Sequence, residues 1–185
     1  MLKFKNFYIT FITILLILIL DFFIGDYVSK NIIKANDLQK NVAHLVYHHE
    51  LKKNLNKFTW YNNVFKHQIC TDIYGFKTSC KENKRDMKKS DFAFIGDSFT
   101  EGLGLNYEDT FVGMFANRRK DQKIVNLGVE SYSPKIYYKK IQYLINDGFV
   151  FKNLIIFFDI SDILNENFYT IDEHGNISTR GKLDY

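Results

Sequence analysis

The sequence predicts an α/β domain, three layers deep around a parallel sheet and tethered by an N-terminal membrane helix. Three observations lead there. An apolar run fills residues 7–24, strand and helix patterns alternate from residue 91 to about residue 158, and glycine or small polar residues gather where each strand pattern ends. Strand–helix–strand alternation at short spacing implies right-handed parallel crossovers. In such sheets ligands bind beyond the carboxyl ends of the strands.

The 185 residues suffice for one domain, and 46% hydrophobic content supplies a core once the apolar run is set aside. The net charge of +4 is interleaved with acids. The densest basic stretch, Lys81, Lys84, Arg85, Lys88 and Lys89, is broken by Glu82 and Asp86, which reads as a solvated linker and not as a nucleic-acid surface. There is no internal repeat and no low-complexity tract.

The first element is the anchor. Lys3 and Lys5 precede the run from Phe7 to Ile24, in which Asp21 is the one charge. A helix over that run is about 27 Å long, close to the ~30 Å of a hydrocarbon core. Gly25-Asp26-Tyr27-Val28-Ser29 offers no A-x-A-like cleavage site, so an uncleaved signal anchor over residues 1–28 is expected, with a cleaved signal peptide as the alternative. Lysines on the short N-terminal side place the rest of the chain on the non-cytoplasmic side.

Residues 29–89 form the second region. Ile32, Ile33, Leu38, Val42, Leu45 and Val46 recur at helical spacing and predict an amphipathic stem helix over 29–46. His44, His48 and His49 cluster in or after it, but without an HExxH pattern they read as stem or surface histidines, and no metal is expected. Residues 56–80 read as extended segments and turns, anchored by Phe58, Trp60 and Tyr61 and packed on the main domain. Cys70 and Cys80 flank a turn-like Tyr74-Gly75-Phe76 and can close a small disulfide loop in an oxidising compartment, two free buried thiols being the alternative.

The third region, residues 90–185, carries the chemistry. Asp91–Gly96 is a short apolar strand that ends in Gly96-Asp97-Ser98-Phe99-Thr100-Glu101-Gly102. A helical segment over Glu108–Arg119 follows, then a strand over Lys123–Leu127 ending at Gly128. Ser133-Pro134 is an N-cap with proline at the first helical position. That helix runs to about Asp147 with Tyr137, Ile141, Leu144 and Ile145 inward, and stops at Gly148. A third strand, Asn153–Phe158, is apolar without alternation, as expected of a strand covered on both faces.

The strand-end clusters suit acyl transfer. A serine just past a strand and at a helix start is exposed, and its backbone N–H can point at a developing oxyanion. Gly128 lets a second N–H approach the same oxygen. Serine is a weak nucleophile and needs a positioned base. Asp97 shapes the turn, and Glu101 and Asp109 are expected to face solvent or to cap.

These residues resemble the SGNH (GDSL-like) hydrolases, a superfamily of esterases, lipases and carbohydrate O-acyltransferases. Gly96-Asp97-Ser98 is similar to the first motif, Gly128 after Asn126-Leu127 to the second, and Asp159-Ile160-Ser161-Asp162 stands where the third, Gly-x-Asn-Asp, belongs. The resemblance covers about residues 90–165. It implies a three-layer flavodoxin-like parallel sheet, with Ser98 as nucleophile and Ser98, Gly128 and Ser161 as oxyanion donors. Gly96, Asp97, Asn126, Asp159 and Asp162 would shape the site. The implied substrate is an acylated carbohydrate or lipid of the cell envelope, without cofactor. Two departures stand out. Ser161 replaces an asparagine, and the family's Asp-x-x-His has no counterpart, since His174 in Asp172-Glu173-His174-Gly175 has the wrong pattern. The expectation is therefore an incomplete site on the front portion of a longer protein, with an inactive glycan-binding protein as the alternative.

Overall fold

The computed structural model describes residues 2–28, 40–61, 65–81 and 86–179. They fall into two compact units, Met1–Leu38 and Gln39–Tyr185.

The first unit is helix α1, Leu2–Val28, without a break. Thr13 Oγ1 donates to the Ile9 carbonyl at 2.9 Å, so its hydroxyl is satisfied within the helix. Residues Tyr8–Gly25 are exposed throughout, and the helix is long and apolar enough to cross a membrane. The proximal part of the expected stem, residues 29–39, lies outside the described residues.

The second unit opens with a hairpin, β1 (Asn41–His44) and β2 (His48–Leu51), where a helix was expected. The correction has a local cause. His44 Nδ1 accepts from the Val46 and Tyr47 amides, its ring stacks on Tyr47 at 3.6 Å, and His48 takes φ +75°, so the chain reverses. Tyr47 and Leu51 are buried, whereas Leu45, which completed the helical stripe in the sequence, is 91% exposed at the turn.

A six-stranded sheet follows, built from β3 (Asn56–Tyr61), β4 (Phe65–Thr71), β5 (Lys77–Thr78), β6 (Lys89–Ile95), β7 (Ile124–Asn126) and β8 (Val150–Ile156). Its order is β3-β4-β5-β7-β6-β8. β6 is parallel to β7 and to β8, while β3, β4 and β5 form an antiparallel meander that joins β7 through Lys77 opposite Asn126. The sheet is thus mixed and not purely parallel, and β3, β4 and β5 extend it instead of resting on it. Phe58 is no anchor, being 63% exposed; the side chains of Trp60 and Tyr61 lie outside the described set. Cys70, on β4, is disulfide-bonded to Cys80, just past β5, with Cα atoms 5.3 Å apart.

Helices α2 (Ser98–Glu101), α3 (Phe111–Arg118), α4 (Pro134–Asn146) and α5 (Ile160–Asn165) complete the unit with a last hairpin, β9 (Tyr169–Ile171) and β10 (Ile177–Thr179). Thr110 caps α3 by accepting from the Gly113 amide at 3.0 Å, an arrangement worth about 1 kcal/mol. α3 covers the sheet face of Phe92, Phe94 and Ile155, where Val112 and Phe115 pack. α4 lies over the opposite face, because successive strand residues point to opposite sides, and there Leu154 and Ile156 share a groove with Tyr137 and Ile141. Ile136, Tyr137, Lys140 and Leu144 are the buried residues of α4. Ile145, expected inside, is 55% exposed.

β8 brings a second correction. Its apolar run suggested cover on both faces, yet it is the edge strand, with Leu154 39% and Ile156 56% exposed. In chain order the parallel strands lie second, first, third. The chain therefore reverses direction of winding between β6 and β8, the kind of crevice where ligands bind in open α/β sheets.

Candidate functional site

The carboxyl ends of β6, β7 and β8 meet around α2. Gly96 closes β6, and a Cβ there would fall 2.1 Å from Thr100 Oγ1 and 3.1 Å from the Phe157 carbonyl oxygen. Only glycine lets the turn close this tightly against both neighbours. Asp97 then caps α2, accepting from the Phe99 amide at 2.9 Å, and is nearly buried. Ser98 is the first residue of the helix and is half-buried. Its hydroxyl has no hydrogen-bond partner among the described residues.

β7 delivers Asn126, which is buried and stitches two motifs together. Its Nδ2 donates to the Thr100 carbonyl at 2.7 Å, and its Oδ1 accepts from the Gly128 amide at 2.9 Å. Gly128 does lie beside the helix of Ser98, but its N–H is directed at Asn126. Behind this loop, the buried Lys140 ammonium donates to the Leu127 carbonyl and the Tyr132 hydroxyl, at 3.0 and 3.1 Å. Burial brings that ammonium down to about 8.

The loop after β8 supplies Asp159, Ser161 and Asp162. Asp159 and Asp162 form a reciprocal cap of α5, and the Tyr137 hydroxyl donates to Asp162 at 2.7 Å. Ser161 Oγ reaches back to Asp97 Oδ2 at 3.3 Å, which ties the third motif to the first. Carboxylate oxygens of Asp97, Asp159 and Asp162 lie within 4.8 Å of one another and would suit a cation. Among the described residues no basic side chain forms an ion pair with any of the three. Burial, together with the charges of Asp159 and Asp162, pushes the Asp97 carboxyl up, while the Ser161 hydrogen bonds hold Asp159 down.

Among the described residues no histidine forms a hydrogen bond with Ser98. His174 is exposed in the turn of the last hairpin beside Glu173. His49 packs on the loop after β7, with Nε2 2.9 Å from the Glu130 carbonyl oxygen, and burial lowers it to about 4. His48 and His49 bring their Nδ1 atoms to 2.7 Å.

Sequence reasoning missed the support beneath α2. Glu101, expected at the surface, is 1% exposed. It accepts from Lys40 Nζ at 2.5 Å and from the Glu130 amide at 2.8 Å. Lys40 also lies 3.3 Å from Glu130, whose carboxylate accepts from Asn41 Nδ2. Nothing in a charged residue's identity marks it as buried, and the partner lies 61 positions away. Comparison with family models, with curated proteins and with solved structures finds no match.

Proposed function

We propose that this chain is a membrane-anchored serine-dependent esterase or O-acyltransferase of SGNH type, with Ser98 as the nucleophile. The substrate class would be an acylated carbohydrate or lipid of the cell envelope. The observation that carries this reading is the convergence of three strand-end loops on α2. Asn126 bonds to Thr100, Ser161 bonds to Asp97, and among the described residues the Ser98 hydroxyl between them has no partner. A serine at a helix N-terminus has amide N–H groups positioned to stabilise an oxyanion. The second–first–third order of the parallel strands, with the loops after β6 and β8 adjacent, supports a doubly wound sheet and a binding crevice at this point. α1 would hold the protein in the membrane as a single pass, with the lysines of the short N-terminal side in the cytoplasm and the α/β unit opposite.

The test is covalent labelling of the full chain in its native membranes with a fluorophosphonate. The label should fall on the Ser98 peptide and vanish in Ser98→Ala. A folded protein that takes up no label would count against the proposal.

Two observations favour a second reading, a noncatalytic glycan-binding protein built on the same cleft. The Gly128 amide is already engaged by Asn126, and no histidine bonds to Ser98. A triad without its base loses most of its advantage. This reading expects carbohydrate binding that survives Ser98→Ala, with no ester turnover.

A further inference from the structure

A cavity of about 170 Å³ opens between α2, the start of α3 and the end of β8. Its walls combine phenyl rings, carboxylates and the side chain of Thr100. Phe99, Phe111, Phe157 and Phe158 supply phenyl rings, and Asp97 and Asp159 supply carboxylates. The Phe111 and Phe157 rings meet at 4.5 Å, and Phe157 stacks on Phe94 beneath it at 6.1 Å, so the floor is braced by the core. Phe99 and Phe158 stand at the rim, 72% and 58% exposed.

Among the described residues no basic side chain offsets the negative charge that Asp97 and Asp159 share. Asp97 and Asp159 accept from uncharged donors, the Phe99 amide and the hydroxyl and amide of Ser161. The second oxygen of Asp159 is buried without a hydrogen-bond partner among the described residues. A ligand that fits must be positive, must tolerate aromatic surface, and must be small, since the cavity is well below the ~300–1,000 Å³ of sites for drug-sized ligands. A divalent metal would gain nothing from four phenyl rings, and a primary ammonium would give up the water on three N–H groups against a wall that is mostly phenyl. A methylated ammonium needs no hydrogen bonds and is attracted by ring faces and carboxylates together.

We propose that this cavity binds the quaternary ammonium group of a small organic cation. The proposal stands apart from the chemistry of Ser98, although the ligand would sit beside it, between the residues that flank that serine. Free choline compounds and lipid head groups share this chemistry.

The experiment is a calorimetric titration of the full chain in dodecyl maltoside with choline, and with dimethylbutanol, its neutral carbon isostere. Choline should bind saturably and at least about tenfold tighter than the isostere. Asp159→Asn should weaken choline about tenfold, and so should Phe99→Ala, whose exposed ring can be removed without disturbing the core. Phosphocholine binding as well as choline would point to a lipid head group; a marked preference for choline would point to a free or ester-linked choline. Equal binding of the neutral isostere would overturn the proposal, since the cavity would then be merely apolar. Binding of calcium or magnesium by a protein that ignores choline would overturn it in favour of a metal on the three aspartates.

Discussion

A Cβ placed on Gly128 would lie 2.6 Å from the amide nitrogen of Glu101 and 2.8 Å from Thr100 Cβ. The second motif and the helix of Ser98 are therefore in backbone contact, and a glycine is required there for packing whatever its amide does. Gly128→Ala must push α2 away from the loop. We expect a loss of about 1–3 kcal/mol in stability from overpacking. Fluorophosphonate labelling of Ser98 should slow by up to about 100-fold, because small misplacements of reacting groups are costly. Denaturant titration and labelling rates on the same samples check both; an unchanged labelling rate would separate Gly128 from the work of Ser98.

The Lys40–Glu101 pair lends itself to a double-mutant cycle. Glu101 is fully buried and Lys40 nearly so. Lys40→Met strands a buried carboxylate, and the expected cost is about 3 kcal/mol. Lys40→Met combined with Glu101→Leu removes both charges and should recover most of that loss. If the double variant is no better than the single one, the pair contributes through something other than charge compensation.

The cycle also shows where the sequence stopped being legible. The β6–α3–β7–α4–β8 alternation could be read because each element is long or apolar enough to show its period. The turns at Gly96, Ser133-Pro134 and Gly148 carry local signals as well. The β1–β2 hairpin could not be read, since its reversal depends on the His44 ring accepting two amides. β5 is two residues long and joins β7 through a single pairing, Lys77 with Asn126, too little to leave a pattern. In the site, Ser98 and the three loops were visible as strand-end clusters. The engagement of the Gly128 amide by Asn126 was not, because both of its atoms belong to the same motif.

The Cys70–Cys80 link joins β4 to the segment after β5 across a sequence separation of 10. Closing a loop of that size restricts the unfolded chain by about 2–3 kcal/mol. Cys70→Ser with Cys80→Ser should lower denaturant stability by that amount and leave Ser98 labelling unchanged, since neither cysteine borders the site. Alkylation without reduction should modify neither thiol in the native protein. Two alkylated cysteines would show that the bond does not form in the cell.

Stability of the α/β unit should depend on pH in three steps, each with a sign fixed by burial. His49 is lowered from 6.5 to about 4, and His44, His48 and His67 are lowered too. Between these values the histidines of the unfolded chain bind more protons than those of the folded one, a contribution that raises stability as pH climbs from about 4 to 6.5, against the opposite contribution of Asp72 and Asp97, whose carboxyls burial pushes up. Lys77 and Lys140 are lowered from 10.5 to about 8 by burial. From about 8 to 10.5 the unfolded chain again holds more protons, and stability rises further. Tyr47, Tyr132 and Tyr137 are pushed above 10 by burial, with Glu50 raising Tyr47 and Asp162 raising Tyr137. Above pH 10 the folded state holds the extra protons, and stability falls. Urea titrations from pH 4 to pH 11 should therefore peak between about 9 and 10. Lys140→Met should remove a large part of the alkaline rise while leaving the acid limb in place. A curve that declines from pH 8 would show that the two buried lysines titrate near their ordinary range and are not held away from water as the structure has them.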